Sequence, residues 1–213
     1  MKSIFFLALV AALAALSACT APPEASRETF TKAMQTYLAQ RGDLCLAKNR
    51  WPIDVTQHEV DMGARNALQM PVLERLGLVS SSVATIDIDD GGIRHRMDVR
   101  RYALTDAGRR HVVTRGPANA ASAQAGQSDF CAARLSLDKV VDWKLGRQAE
   151  GAAPVATVMY TYRVEAASWT SDPDIQKVFP VVAGVIRGAG SAQLQETFVS
   201  TDKGWIAIDL RGR

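Results

Sequence analysis

The chain has 213 residues, a formal net charge of +3 at pH 7 and a hydrophobic fraction of 47%. This length is sufficient for one large domain or two small ones. Because acidic and basic side chains nearly balance, the composition predicts no polyanionic partner, and we expect no nucleic-acid binding.

The first 18 residues have the pattern of a secretory signal. Lys2 precedes an apolar run from Ile4 to Leu16, and small residues follow. The run is shorter than the ~20 apolar residues that a membrane-spanning helix needs. We therefore expect residues 1–18 to be a signal peptide that is removed from the mature protein.

The end of this signal, Leu16-Ser17-Ala18-Cys19, resembles the lipobox of bacterial lipoproteins. The resemblance implies cleavage between Ala18 and Cys19, a lipid thioether on Cys19 and acylation of the new amino terminus, so that the protein meets the membrane through this anchor. Thr20 stands where this family often carries an aspartate that retains proteins at the inner membrane. The resemblance thus implies the periplasmic face of the outer membrane. Residues 19–27 contain two prolines and lack periodicity, which is typical of a tether.

Two further cysteines, Cys45 and Cys131, remain if Cys19 is lipidated. Thiols in an oxidising compartment tend to pair. The sequence therefore predicts a Cys45–Cys131 disulfide, and the alternative is two separate buried thiols.

The predicted elements of the first half are a helix over 27–40, a short strand over 44–47, an extended segment over 51–55, a helix over 59–69 and another helix that begins at Pro71. The first helix has an apolar face made by Phe30, Met34, Tyr37 and Leu38. Gly42 follows it, as is common at a helix end.

A long hairpin follows, with strands over 78–88 and 93–104 joined by Asp89-Asp90-Gly91-Gly92. Its outer face carries Arg94, Arg96 and Arg100. The apolar phase changes at Tyr102, which predicts a bulge at Arg100-Arg101. A last helix, capped by Thr105, is predicted over 106–113.

Two segments of this half, 73–79 and 102–109, look like the end of the short helix, the start of the first wing strand and the closing turn of a winged-helix domain. The resemblance covers residues 28–115 and implies a winged-helix-like subdomain. In a cytoplasmic winged helix, Arg94, Arg96 and Arg100 would contact DNA. With the lipobox we expect them to be solvated or to contact anionic lipid or polysaccharide; a nucleic-acid-binding protein with an accidental lipobox is an alternative.

Residues 116–128 are predicted to be a linker, and the pattern then changes to strands. The predicted β subdomain, 129–213, contains strands over 131–145, 156–164, 194–201 and 204–210. In the first of these strands, apolar residues alternate with mostly polar ones. Lys139 is the exception, because it stands where the alternation places an apolar residue. A helical insertion begins at Asp172-Pro173, and Pro180 should bend or restart it. We expect an α+β protein whose second part is an antiparallel four-stranded sheet with the insertion packed on one face.

This half looks like the C-terminal part of certain proteobacterial lipoproteins, through residues 160–164, Trp169, Phe179-Pro180 and 201–205. That resemblance implies no particular activity.

The sequence has no His-Glu-x-x-His, no Gly-x-Ser-x-Gly and no P-loop, and its three histidines are not spaced as a metal motif. We therefore expect no catalysis, no metal and no cofactor. The expected role is binding or structural work with an envelope protein, lipid or glycan, and the alternative is an envelope hydrolase.

Overall fold

The computed structural model describes residues 24–115, 127–146 and 152–211. The predicted cleavage site at Ala18 and Cys19 lies outside the described residues, as does most of the predicted linker. The described chain combines helices with two antiparallel sheets, which confirms the α+β class.

The helices are α1 (Arg27–Arg41), α2 (Gln57–Asp61), α3 (Arg65–Arg75), α4 (Asp106–Arg109), α5 (Pro173–Val178) and α6 (Pro180–Arg187). The strands are β1 (Asp43–Cys45), β2 (Ile53–Thr56), β3 (Val79–Asp90), β4 (Ile93–Leu104), β5 (Val112–Arg115), β6 (Gln127–Leu145), β7 (Val155–Ala166), β8 (Gln193–Thr201) and β9 (Gly204–Ala207). Short 3-10 helices cover Ser168–Ser171 and Ile208–Leu210.

The larger sheet has six strands, in the order β1-β6-β7-β8-β9, with β5 also paired to β6. The prediction of four strands was wrong because β1 and β5 both pair with the first part of β6. Val112 and Val113, which the sequence placed at the end of a helix, are in β5, since α4 ends at Arg109. Elements from both halves of the sequence therefore share this sheet.

Helix α1 covers one face of the larger sheet and forms the first core with it. Phe30, Met34 and Leu38 pack there against alternate residues of β7, among them Val158 and Tyr160. This arrangement confirms the predicted apolar faces of α1 and of the second predicted strand. Helix α1 thus belongs to the layer of the larger sheet, although the sequence assigned it to the first subdomain.

The pairing register of strand β6 explains why Lys139 interrupts the alternation of apolar residues. Its register against β7 shifts between Leu137 and Lys139 and again between Val140 and Asp142. Between the two shifts, the residue of β6 that faces the core is even-numbered rather than odd-numbered. Val140, which is 2% exposed, therefore takes the core position that the alternation predicted for Val141. Bulges of this kind insert one residue opposite a regular partner strand.

The smaller sheet has the order β2-β4-β3 and borders the second core. Met70 and Leu73 of α3 are fully buried in that core, where they join Ile175 and Phe179 of the helical insertion. The apolar stripe of the insertion packs mainly with α3 and the smaller sheet. As predicted, the insertion also contacts the larger sheet. It does so near Phe130 at the start of β6, and through the Val185 carbonyl oxygen of α6, which accepts a hydrogen bond from a tyrosine of β7 at 2.9 Å.

Two local predictions in this region were wrong. Pro71 lies inside α3 rather than at the start of a separate helix. No bulge occurs at Arg100-Arg101, because the β3–β4 register runs unbroken from Val79 to Asp90. Instead, the hairpin buries Tyr102 on one face and Val99 on the other. The predicted turn is confirmed: Gly91 and Gly92 have φ values of 61° and 90°, which favour glycine.

The predicted disulfide is confirmed. Cys45 of β1 and Cys131 of β6 are directly opposite each other in the sheet, and their sulfur atoms are bonded. Their Cα atoms lie 3.7 Å apart.

Gly42 provides a stability test of the contact between α1 and β6. A Cβ atom at Gly42 would lie 2.4 Å from the Leu135 carbonyl oxygen and 2.5 Å from that of Leu38. We expect Gly42→Ala to lower the free energy of unfolding by about 1–3 kcal/mol because backbone atoms must move. Gly184→Ala is the control, since nothing lies within 4 Å of its added methyl group, and it should raise stability by about 0.5–1 kcal/mol. Urea unfolding measures both changes, and equal effects would contradict the packing described for Gly42.

Candidate functional site

An open groove of about 900 Å³ lies between α3 on one side and α5–α6 on the other. We call it the helical groove. Its floor includes Leu44, Cys45 and Leu46, and its walls carry Leu68 on α3 and Val181 on α6. The lining is mostly apolar, so the groove is suited to apolar ligand surface.

Two sets of polar contacts hold the groove walls in place. At one end, Arg75 of α3 contacts Asp172 at 2.8 Å and Asp174 at 2.9 Å. The hydrogen bond from Arg75 is the main reason that the pKa of Asp172 lies below its usual value. Further along α3, the Gln69 Nε2 group donates to the Val178 carbonyl oxygen at 2.9 Å. The walls are therefore joined through side chains, and the disulfide fixes the floor to β6.

Gln69 also leaves one polar atom unsatisfied. Its side chain lines the groove and the residue is 6% exposed, yet its Oε1 atom has no hydrogen-bond partner among the described residues. A buried acceptor without a donor costs about 1–3 kcal/mol. The wall of the groove thus contains a buried acceptor that has no donor in the described part of the chain.

The charged side chains around the groove have a positive balance. Arg65, Lys177 and Asp174 line it, and Asp174 already contacts Arg75. Lys48 is buried beside Arg65 and donates to the Asn66 side chain at 2.6 Å. Burial lowers the pKa of Lys48, and the positive charge of Arg65 lowers it further. The groove therefore favours a ligand that brings negative charge.

The three arginines predicted for an anionic surface lie on one face of the β3–β4 hairpin, and each has an acidic neighbour. Arg94 is 4.0 Å from Asp89, Arg96 is 3.5 Å from Asp87, and Arg100 is 3.8 Å from Glu74. Exposed pairs of this kind contribute little to stability, but they reduce the net positive charge of the face. Contact of these arginines with an anionic surface stays a prediction.

A smaller cavity of about 420 Å³ lies where β1 and β5 meet β6, and His111 lines it. The Trp169 Nε1–H group donates to His111 Nε2 at 3.2 Å, which requires that nitrogen to be unprotonated. Burial lowers the pKa of His111, and the nearby charge of Arg110 adds to this effect. This histidine is therefore a neutral structural acceptor near neutral pH.

The first core contains two tyrosines near Glu196. Burial, with a smaller contribution from Glu196, raises the pKa of Tyr160 to about 12. Burial also raises the pKa of Tyr37, and a hydrogen bond with Glu196 raises it further. Both phenols therefore hold their protons more firmly than a solvent-exposed tyrosine does.

The described residues include neither a cluster of metal ligands nor a membrane-spanning helix. No group of three or more His, Cys, Asp or Glu side chains there could hold a metal ion. No helix in the same ranges is long and apolar enough to cross a membrane.

Sequence reasoning found the disulfide at the floor of the groove but missed the groove itself. A signal was present in Val181. The sequence predicts an apolar stripe of the insertion made by Ile175, Val178, Phe179 and Val182, and Val181 is an apolar residue outside it. Leu68 gave a similar signal. It belongs to the apolar set of the helix predicted over 59–69, but it is 55% exposed. An apolar residue that the core does not need is a useful indication of a binding surface.

No protein-family model, curated protein or solved structure matches this chain. The lipoprotein and winged-helix resemblances therefore stay predictions.

The His111–Trp169 hydrogen bond predicts a dependence of stability on pH. Because the folded state lowers the pKa of His111, the unfolded state binds the proton first as the pH falls. We expect the free energy of unfolding to be highest above about pH 6.5 and to fall below it, through the lowered folded-state pKa. His111→Gln should remove this part of the pH dependence, whereas the exposed His58→Gln should retain it. Urea unfolding from pH 5 to 8 measures the slopes, and an unchanged slope in His111→Gln would contradict the assignment.

Proposed function

We propose that this chain is a lipid-anchored protein of the bacterial cell envelope that binds a partner in the helical groove and catalyses no reaction. Its anchor is Cys19, and its location is the periplasmic face of the outer membrane. The observation that carries the binding role is the open apolar groove with fixed walls.

Two observations support the exported location. The residues before Cys19 have the signal and lipobox pattern described above. The Cys45–Cys131 disulfide fits an oxidising compartment, since such bonds are rare in the cytosol.

The start of α1 and the groove lie at different ends of β6. Arg27, the first residue of α1, donates to the carbonyl oxygens of Val140 and Val141. The groove floor lies instead beside Cys131. The stretch of β6 between Val140 and Cys131 spans roughly 25–30 Å at ~3.3 Å per residue. An anchor that precedes α1 would therefore leave the groove open to a partner away from the membrane surface.

We also propose that residues 28–115 form a winged-helix-like subdomain, with its strands and the helices between them at residues 53–104. It is supported by the strand order β2-β4-β3 and by the position of α2 and α3 between β2 and β3 in the chain. Helix α1 departs from that pattern, because it packs on the larger sheet.

The anchor is tested by Cys19→Ala in a bacterial host. We expect this variant to accumulate as a larger precursor that retains residues 1–18 and no lipid, because the sulfur is the acyl acceptor. The control is the double variant Cys45→Ala/Cys131→Ala, which should still gain the lipid. Mass spectrometry of the membrane fraction distinguishes the forms, and normal maturation of Cys19→Ala would refute the anchor.

The groove is tested by a photo-crosslinking amino acid at Val181, with the same residue at Val83 as the control. Both valines are exposed, at 75% and 84%, but only Val181 lines the groove. We expect irradiation of cells to give a defined adduct from position 181 and none from position 83. The binding role would be wrong if position 181 gave no adduct, or if both positions gave the same products.

A further inference from the structure

We infer that the occupant of the helical groove is an amphipathic helix of a partner protein, with an apolar face flanked by acidic side chains. This inference rests on the binding role proposed above and specifies the partner. Three properties of the groove carry it: its shape, its exposed rims and its charge.

The shape of the groove suits a helix. The residues of α3 that line it run from Arg65 to Val72, which corresponds to about 12 Å, or two helical turns. The opposite wall is formed by α5 and α6, and apolar residues of β1 and the following segment form the floor. A trough between helices of this length accepts the apolar face of a third helix through residues spaced i, i+3 or i+4, and i+7.

The rims indicate an occupant that is larger than the groove. Leu68 on α3 is 55% exposed, and Val181 on α6 is 75% exposed. A ligand that lies wholly inside the groove leaves much of both side chains in water. A helix is about 10–12 Å wide with its side chains, so one laid along the groove would extend beyond its interior towards the exposed Leu68 and Val181. This property favours a helix over a single acyl chain.

The charges specify the flanks of that helix. Asp174 already has Arg75 as a partner at 2.9 Å, whereas no ion pair of Arg65 or Lys177 is present in the described part of the chain. The first turn of α3 adds a partial positive charge, and Ala64 at its N-cap offers no side-chain acceptor. Acidic side chains beside the apolar face of the occupant would complement both cations.

The first part of the test identifies the occupant from the adduct at position 181. Tandem mass spectrometry of the crosslinked product should give a peptide with apolar residues at helical spacing and at least two acidic residues beside them. An adduct with a lipid, or with a peptide that lacks this pattern, would overturn the inference while leaving groove binding intact. Absence of any adduct would instead overturn the proposed binding role.

The second part measures the charge requirement with the crosslinked segment as a synthetic peptide. We expect Arg65→Glu/Lys177→Glu to weaken its binding by about tenfold or more. The control Lys32→Glu/Lys203→Glu makes the same change in net charge at exposed sites outside the groove, and it should bind as the unmodified protein does. Fluorescence anisotropy at low and high salt measures the affinity, and the difference between the variants should shrink as salt screens the charges.

A third variant controls for effects of the Glu substitutions on folding. Arg65→Gln/Lys177→Gln removes the two charges without adding repulsion from Asp174, and it should weaken peptide binding to an intermediate extent. Thermal unfolding should give similar midpoints for all these proteins. Equal affinity in the groove variants and in the control would overturn the acidic-flank assignment.

Discussion

The Cys45–Cys131 disulfide joins β1 to β6 where the two hydrophobic cores meet. Leu44, next to Cys45, packs against both cores, and Phe130, next to Cys131, lies in the second. Strand β1 has only three residues, so its backbone pairing alone would hold the following segment weakly. The bond closes a loop with a sequence separation of 86, for which loop entropy contributes at most about 4–5 kcal/mol. That is a large share of a typical domain stability of about 5–15 kcal/mol. Because Cys45 is also in the groove floor, the same bond supports both the fold and the candidate site.

The elements with long, regular patterns could be predicted from the sequence. Of the short strands, β1 was predicted as a strand but not its place in the sheet, and β5 was predicted as the end of a helix. Helix α1 and the β3–β4 hairpin carry enough apolar periodicity or turn chemistry to define themselves locally. Strands β1 and β5 have three and four residues, and their place in the larger sheet depends on pairing with a distant part of the chain. The two register shifts in β6 are likewise set by its partner strand, so the sequence alone could mark Lys139 as an exception without explaining it.

The candidate site likewise has one feature that could be predicted from the sequence and one that could not. The disulfide was predictable because cysteine count and compartment leave one pair if Cys19 is lipidated. The groove was not, because it is assembled from β1, α3 and the insertion, whose mutual packing the sequence does not specify. The apolar stripe of the insertion indicated what is buried, but which element covers it depended on the position of α3. Residues such as Val181 and Lys177 acquire a role only once those elements are together.

An apolar groove in water lowers its free energy by burying its lining, so it stays open only where its walls cannot move over that lining. Here the walls have fixed partners. Arg75 contacts the start of α5, Gln69 contacts its end, and the faces of α3 and α5 that point away from the groove are buried in the second core. Movement of α3 across the groove would break these contacts and expose Met70 and Leu73, which are fully buried. The open groove is therefore a consequence of how the second core is packed. A partner that binds there does not need to order the walls first, which reduces the entropic cost of association.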